Sequence, residues 1–281
     1  MAANHSTSGS PRRRTPCALS IAGSDSGGGA GIQADLKAFA ACGVHGMTAI
    51  TAITAQNTVG VTAVQFVAPE MILAQVRAVA QDIGVDAVKI GMLGTIPVIE
   101  AVATALDELP VGTAVVLDPV MVAESGAELL EAGACGALIE LLLPRASVLT
   151  PNLPEARALL AHASGTGVEG EAAQADVSAL ARAIHALGPA VVVITGGHRE
   201  VATDLFYDGS QTVELAGERH PDGAAHGSGC THSSVLAARL ALGDSPLEAA
   251  RTAKRRASEA VRQGLVDVGA GPGPVHVLGV T

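Results

Sequence analysis

The sequence predicts an α/β protein with a mostly parallel central sheet and helices on both faces. Short runs rich in β-branched residues alternate several times with longer runs rich in Ala and Leu, which is typical of right-handed strand-helix-strand crossovers. The runs AVVL at 114–117 and AVVVI at 190–194 are continuously apolar, as expected for strands buried on both faces. At 281 residues, 48% of them hydrophobic, the chain is long enough to bury a substantial core.

The predicted elements follow this alternation along the chain. Apolar β-rich runs predict strands at 17–23, 47–55, 87–90, 113–117, 146–149 and 190–194. Ala/Leu-rich runs predict helices at 31–41, 69–84, 96–109, about 135–143, 153–162, 173–187, 233–242 and 246–263. Two segments depart from the rhythm. Residues 59–67 alternate like an exposed strand and predict a small β flap, and residues 204–215 predict a hairpin turning at Asp208 and Gly209.

The chain is predicted to form one domain over residues 17–281. No linker rich in Pro, Gly or Ser divides it and no internal repeat is visible, although 164–170 is expected to be a flexible surface loop. Residues 1–16 are polar, with three arginines at 12–14 and no apolar segment after them, so we expect a disordered tail and not a signal peptide. No apolar run reaches the roughly 18 residues expected of a membrane span.

Composition argues against several classes of function. The net charge is −10, and three Phe, one Tyr and no Trp leave almost nothing on which nucleobases could stack, so we expect no nucleic-acid partner. The four cysteines form no C-x-x-C pair, which argues against a zinc knuckle or a disulfide framework and favours a reducing compartment.

The most informative motif is Ala225-His226-Gly227-Ser228-Gly229-Cys230-Thr231, which directly precedes a predicted helix. Helix N-termini bind anions through unpaired N–H groups and the helix dipole, and the same field lowers the pKa of a cysteine. The motif therefore predicts an anion site beside a reactive thiol. The alternative is a glycine-rich turn followed by an inert cysteine.

A second glycine-rich segment runs from Gly23 to Gly31, between the first strand and the first helix. It lacks the spacing of a dinucleotide fingerprint, and the chain has no Gly-Lys pair for a P-loop. The segment indicates only that the backbone closely approaches another group. Asp35 lies one turn into the helix and could point into the same cleft or be a solvated helix carboxylate.

Polar residues also follow three later strands, at the carboxyl ends where open α/β sheets bind ligands. Asp118 ends one strand, and Glu155 follows the next with the spacing of a capping box headed by Asn152. The two carboxylates could instead hold Mg²⁺ through water, as phosphoryl transfer requires. A third strand ends in Thr195-Gly196-Gly197-His198, where bare backbone could receive a phosphate tail or a ribose.

Together, these motifs resemble a known family. IAGSDSGGGAGIQADLK, TAITAQNT, KIGML, LDPVM, TPNLPEA, TGGH and HGSGCTHSS stand in the order seen in the ribokinase-like hydroxymethylpyrimidine/phosphomethylpyrimidine kinases of thiamine biosynthesis, and the match runs from Cys17 to the C-terminus. The resemblance implies a three-layer ribokinase-like fold and ATP- and Mg²⁺-dependent phosphorylation of 4-amino-5-hydroxymethyl-2-methylpyrimidine and then of its monophosphate. It also implies a cytoplasmic homodimer.

The resemblance assigns roles to individual residues. The implied pyrimidine pocket consists of Gly23, Ala30, Asp35, Gln56, Met92, Val120 and Cys230. Cys230 is the implied base, and Gly227, Ser228, Gly229 and Cys230 are the implied anion hole, in which Gly229 is also catalytic. The implied nucleotide and phosphate contacts are Asp118, Thr195, Gly196, Gly197 and Lys254, together with the anion hole, and the metal is organised by Asp118 and Glu155 through water. The carboxamide of Gln56 offers both a donor and an acceptor, which suits an aminopyrimidine edge.

One departure concerns the nucleotide end. Family members frequently carry lysine where this chain has Thr195, so Lys254 and the metal are expected to supply the positive charge there. Two other functions stay open: a kinase of pyridoxal or of both vitamins, and a catalytically inactive pyrimidine-binding protein. Retention of Asp118, Glu155 and Cys230 argues against the latter.

Overall fold

The computed structural model describes residues 15–123, 126–131, 133–165, 176–197 and 202–279. Within these residues, one nine-stranded sheet has the order β3-β2-β1-β4-β5-β6-β7-β8-β9. The strands are β1 (Cys17–Asp25), β2 (His45–Asn57), β3 (Gly60–Phe66), β4 (Ala87–Ile90), β5 (Ala114–Leu117), β6 (Val148–Leu149), β7 (Val192–Ile194), β8 (Asp204–Tyr207) and β9 (Thr212–Leu215). The six central strands are parallel, and β3, β8 and β9 pair antiparallel at the two ends.

Helices cover both faces of this sheet, as the strand-helix alternation predicted. They are α1 (Gly31–Ala41), α2 (Pro69–Asp82), α3 (Ile96–Asp107), α4 (Ala134–Ala137), α5 (Leu153–Ser164), α6 (Val177–His185), α7 (Ser228–Ala241) and α8 (Pro246–Arg262). Helices α2 to α6 form the core on one face, and α1, α7 and α8 form the core on the other. Strand β5 serves both cores, because Val115 and Leu117 enter the first and Val116 the second. The three-layer fold is confirmed.

The small β flap is also confirmed, since β3 lies antiparallel on β2 with most of its side chains exposed. The hairpin β8–β9 turns at Gly209, whose φ of +87° favours glycine. The predicted helix at 135–143 is irregular: α4 continues as a π-helical turn over Leu138–Leu142. For the predicted helix at 173–187, positions 173–175 lie outside the described residues.

One predicted boundary near the motif of interest is wrong. Helix α7 begins at Ser228 and not at 233, because Gly227, with φ +83°, is its N-cap and the following Ser-Gly-Cys is already helical. Serine and glycine have low helix propensity, so the sequence at 228–230 did not predict the first turn of α7. Cys230 therefore lies within the helix N-terminus itself.

The segments predicted to be disordered are described only in part. Residues 1–14 and 166–170 lie outside the described residues, so the tail and most of the 164–170 loop stay predictions, as does the single domain. Pro16 is attached to the sheet, since its carbonyl accepts the His45 amide at 2.9 Å.

The four cysteines are free thiols. No helix in the described ranges combines the length and the apolar character needed to cross a membrane.

Candidate active site

The order of the parallel strands reverses between β1 and β4. The chain leaves β1 for β2 on one side, and then passes to β4 and onward to β7 on the other, and open α/β sheets bind ligands in the crevice at such a point. Two implied pocket residues meet there, because a Cβ on Gly23 would lie 3.1 Å from the Met92 Sδ. Glycine at position 23 thus lets the methionine pack directly on the strand.

The N-terminus of α7 opens at this crevice. The Ser228 amide is used in a turn, donating to Ala225 at 2.9 Å. The amides of Gly229 and Cys230 donate to no group within the described part of the chain, and Gly229 is exposed. Two unpaired N–H groups at the start of a 14-residue helix form a site suited to a phosphate oxygen.

The first glycine-rich segment does not form such a site. The Asp25 carboxylate accepts hydrogen bonds from the amides of Gly27 (2.8 Å), Gly29 (3.0 Å) and Ala30 (2.9 Å). It also lies 3.1 Å from the His226 Nε2. Burial raises the Asp25 pKa, but His226 and these amides together lower it by more, so the net shift is downward. The loop amides are therefore occupied by the protein's own carboxylate.

The two glycine-rich segments touch each other. A Cβ on Gly227 would lie 1.8 Å from the Gly29 carbonyl oxygen, so only glycine fits at position 227. The next residues of the first segment lie close to the thiol, since the Gly31 amide acts to lower the Cys230 pKa. The close backbone approach inferred from the first segment is thus an approach to the anion hole.

The prediction that the helix field lowers the pKa of Cys230 is wrong. Cys230 keeps some solvent exposure, but the surrounding protein desolvates the thiol and raises its pKa to about 11. The Lys89 charge opposes this rise, whereas Asp35 and Asp118 add to it. The thiol form therefore predominates at neutral pH.

Asp35 lies close enough to the thiol for its charge to act on it, in a buried polar layer. Its Oδ1 accepts from the Lys89 Nζ (2.9 Å) and the Ser234 Oγ (2.6 Å), and its Oδ2 accepts from the Ser20 Oγ (2.5 Å) and from Lys89 (3.2 Å). Asp35 and Lys89 are both fully buried. Both oxygens of Asp35 are thus already used within the protein, and its contact with a substrate stays a prediction.

Lys89 also faces Asp118, 4.0 Å from its Oδ2, and the Ser233 Oγ donates to the same oxygen at 2.9 Å. Burial lowers the Lys89 pKa, but the neighbouring acidic groups, Asp35 foremost, raise it more, so it stays an ammonium. The Asp118 pKa is raised by burial despite the opposing effects of Lys89 and Ser233. Sequence reasoning missed Lys89, although a lysine within the buried run AVKI was a signal of a paired charge.

Glu155 forms the capping box that the sequence spacing suggested. Its Oε2 accepts the Asn152 amide at 2.8 Å, and the Asn152 Oδ1 accepts the Glu155 amide at 2.9 Å. Burial and then the Asp118 charge raise the Glu155 pKa to about 8, against the amides of Asn152 and Met121. Asp118 and Glu155 are thus close enough to repel each other. Across the described ranges, no three His, Cys, Asp or Glu side chains converge as direct metal ligands.

At the nucleotide end, the turn after β7 is joined to Lys254. Asp204 accepts both the Gly196 amide and the Lys254 Nζ on its Oδ1, each at 2.7 Å. The Thr195 amide donates to the Pro151 carbonyl at 2.9 Å, and Gly197 is exposed. His198 lies outside the described residues. Lys254 lines a groove of about 850 Å³ between α8 and the segment after β9.

Gln56 lies at the flap, beside a smaller cavity of about 210 Å³ that His226 also lines. Its Oε1 accepts from the Thr54 Oγ1 at 3.1 Å, and its backbone amide donates to the Ser26 Oγ at 2.8 Å. It makes no hydrogen bond to Cys230 or Asp35 in the described structure. Ala30 and Val120 are half-buried near the ends of their segments.

This site lies in a chain whose residues 25–276 match the family model described as phosphomethylpyrimidine kinase. The chain belongs to the phosphomethylpyrimidine kinase family. The hydroxymethylpyrimidine/phosphomethylpyrimidine kinase of Rhizobium meliloti (strain 1021) is 49% identical over 93% of this chain and 97% of its own length.

Solved structures give the same fold. The pyridoxal kinase of Staphylococcus aureus, in complex with AMP-PCP and pyridoxal, is 33% identical with a TM-score of 0.81, over 95% of this chain and 94% of its own. A phosphomethylpyrimidine kinase from Clostridium difficile 630 is 39% identical with a TM-score of 0.73, over 87% and 99%. Phosphomethylpyrimidine kinases and a pyridoxal kinase thus share this architecture.

Proposed function

We propose that this protein transfers the γ-phosphoryl group of ATP to 4-amino-5-hydroxymethyl-2-methylpyrimidine and then to its monophosphate, for thiamine biosynthesis. The observation that carries the proposal is the pair of unpaired amides, Gly229 and Cys230, opening at the sheet crevice next to Asp118. Preorganised amides stabilise the charge that develops on the transferred group in both steps. Family membership supplies the substrate class.

In the first step the nucleophile is an alcohol, which must lose a proton. We assign that proton to the Cys230 Sγ, whose thiolate form is favoured by the Lys89 charge and by the Gly31 amide. A thiolate with a pKa near 11 is a small fraction at neutral pH but a strong acceptor, because its pKa is closer to that of an alcohol. In the second step the nucleophile is a phosphate oxygen that is already anionic and needs no base.

Magnesium fits the carboxylate pair. Asp118 and Glu155 lie close enough for the charge of one to raise the pKa of the other, and a divalent cation would relieve that repulsion. A pair without a third ligand suits Mg²⁺, which keeps most of its waters. When bound, the ion would neutralise charge on the transferred phosphoryl group.

The nucleotide is proposed to lie in the groove beside α8, with its phosphates toward Gly196 and Gly197. Lys254 lines that groove and carries a positive charge, with its Nζ also donating to Asp204 at 2.7 Å, and Thr195 carries none. Lys254 connects the groove to the turn after β7, because Asp204 accepts both the Lys254 Nζ and the Gly196 amide.

The decisive experiment is mass spectrometry of the products formed from ATP, Mg²⁺ and the hydroxymethylpyrimidine. We expect the monophosphate and then the diphosphate, and Asp118→Asn as the matched control should lose both. Product from pyridoxal at a higher kcat/KM would favour the alternative, a pyridoxal kinase, to which the Staphylococcus aureus structure lends weight. No product from either substrate would refute a kinase and favour a binding protein.

A homodimer in the cytoplasm is proposed as the working state. The flap strand β3 exposes Val64 (38%) on an edge of the sheet, and the neighbouring strand β2 exposes Ile53 (56%). Exposed apolar residues at an unpaired edge suit a second copy. Free thiols suit a reducing compartment. Light scattering should give a dimer mass, with Val64→Lys shifting it toward the monomer.

A further inference from the structure

The β flap is held by a segment from near the C-terminus. The turn between β2 and β3, residues 57–60, is the flap tip, and residues 269–275, with the sequence GAGPGPV, pack against it. We call this second segment the strap. The Gly271 amide donates to the Thr58 Oγ1 at 3.2 Å, which joins residues 213 positions apart in the chain. The flap tip therefore has a partner outside its own hairpin.

The strap lies directly on Thr58 because glycines stand at the points of contact. A Cβ on Gly269 would lie 2.1 Å from the Thr58 Oγ1, and a Cβ on Gly271 would lie 1.9 Å from the Thr58 carbonyl oxygen. Gly269 also has a φ of +82°, which favours glycine. A side chain at either position would push the strap and the flap tip apart.

The strap is also fixed at its far end. Val275 is buried, and its amide donates to the His226 carbonyl at 3.0 Å. The next residue, His276, donates its amide to the Ala260 carbonyl in α8 at 2.9 Å. Since His226 directly precedes the anion hole at 227–230, the strap connects the flap tip to the backbone beside that hole.

The position of the flap tip matters because of Gln56. Gly271 and Pro272 line the cavity of about 210 Å³ that Gln56 also lines. The Ser26 Oγ holds the Gln56 backbone, donating to its carbonyl at 2.6 Å and accepting its amide at 2.8 Å. The strap holds Thr58, two residues further along. Gln56 thus lies between two contacts that fix the backbone of the flap.

We propose that the strap holds the flap where the Gln56 carboxamide meets the pyrimidine, with Thr58 as the positioning residue. The inference rests on the proposed function, from which it takes the substrate. Hydrogen bonds weaken steeply when their geometry is lost, so a flap released from the strap should bind the pyrimidine less tightly. The nucleotide end should be unaffected, because Lys254 lines a different groove.

The test is steady-state kinetics with hydroxymethylpyrimidine, ATP and Mg²⁺ for the wild type and three variants. Thr58→Val keeps the shape of the side chain but cannot accept the Gly271 amide, whereas Thr58→Ser can. We expect Thr58→Val and Gly271→Ala to raise the KM for the pyrimidine by about two- to tenfold, the range for one lost hydrogen bond. The KM for ATP and kcat should stay unchanged, and Thr58→Ser should behave like the wild type.

Hydrogen exchange of the free protein gives a second readout that needs no substrate. Peptides covering residues 54–66 should exchange faster in Thr58→Val and Gly271→Ala than in the wild type. Gly60→Ala is the matched control, because a Cβ there would meet no other part of the described structure within 4 Å. It should change neither the exchange nor the KM. Should Gly271→Ala fail to fold, Thr58→Val tests the same contact.

The outcomes separate the strap from the proposed function. Unchanged exchange in both variants, or faster exchange with an unchanged KM for the pyrimidine, would overturn the inference alone. Equal rises in the KM for the pyrimidine and for ATP would also overturn it, because they would indicate a general loosening of the protein. A wild type that phosphorylates no pyrimidine would overturn the proposed function, and this inference with it.

Discussion

Replacing Lys89 by methionine should destabilise the protein by about 3–5 kcal/mol, the usual cost of removing one partner from a buried ion pair. Methionine has a similar length but no charge, so it leaves the Asp35 carboxylate fully buried and without its cation. The Ser20 and Ser234 hydroxyls still donate to that carboxylate, which places the expected loss toward the lower end. Because folded proteins are stable by only about 5–15 kcal/mol, the loss is easily measured.

The assay is urea unfolding followed by circular dichroism at pH 7, with the free energy of unfolding as the readout. Lys37→Met, on the exposed side of α1, is the control and should change it by no more than about 0.5 kcal/mol. The double variant Lys89→Met/Asp35→Asn removes both charges and should be more stable than Lys89→Met alone. A loss under about 1 kcal/mol, or a double variant less stable than the single one, would refute the ion-pair reasoning.

Four further predictions concern catalysis and substrate binding. Cys230→Ala should slow phosphorylation of the alcohol by about 10²–10⁴-fold and of the monophosphate far less in single-turnover kinetics; equal losses would make the residue a packing element. Because the Cys230 pKa is about 11, the wild-type alcohol step should accelerate as the pH rises through 7–9, and a rate that is flat in this range would exclude the thiolate. Thr195→Lys should lower the KM for ATP but not for the pyrimidine, through a charge-assisted contact, and a higher KM for ATP would mean that the turn is packed around threonine. Gln56→Leu should lower kcat/KM for the pyrimidine by about 5- to 150-fold, the equivalent of about 1–3 kcal/mol, and an unchanged value would remove Gln56 from the pocket.

The fold could be predicted from the sequence because its strands and helices differ sharply in periodicity. A continuous apolar run such as 114–117 buries all of its side chains only when helices cover both faces of the sheet, and its side chains enter the cores on both faces. Boundaries were harder where local propensity opposes the tertiary structure. At the start of α7, packing of Gly227 against Gly29 sets the helix terminus, and nothing in the local sequence reports that contact.

The sequence predicted which residues stand at the strand ends of the candidate site. It did not predict the charge interactions that set their pKa values. The positions of Asp118 and Glu155 follow from strand order, whereas the pKa of Cys230 depends on desolvation and on charges contributed by other elements. Lys89 and Asp204 were missed for the same reason, since each acquires its role from partners distant in sequence. Patterns within a single sequence segment do not reveal a charge partner that lies on another element.

The contact between the two glycine-rich segments bears on how the protein is made. Asp25 and His226, which fasten these segments together, are 201 positions apart in the chain. During synthesis, the first segment leaves the ribosome long before its partner exists, and loops of such length close slowly. The first segment can therefore pack against the second only after residues 226–230 have been synthesised, whereas Asp25 can accept the amides of its own loop earlier. A chain that ends before residue 226 contains every residue of the core formed with α2 to α6 but lacks the anion hole at 227–230. We therefore expect nascent and truncated forms to be inactive.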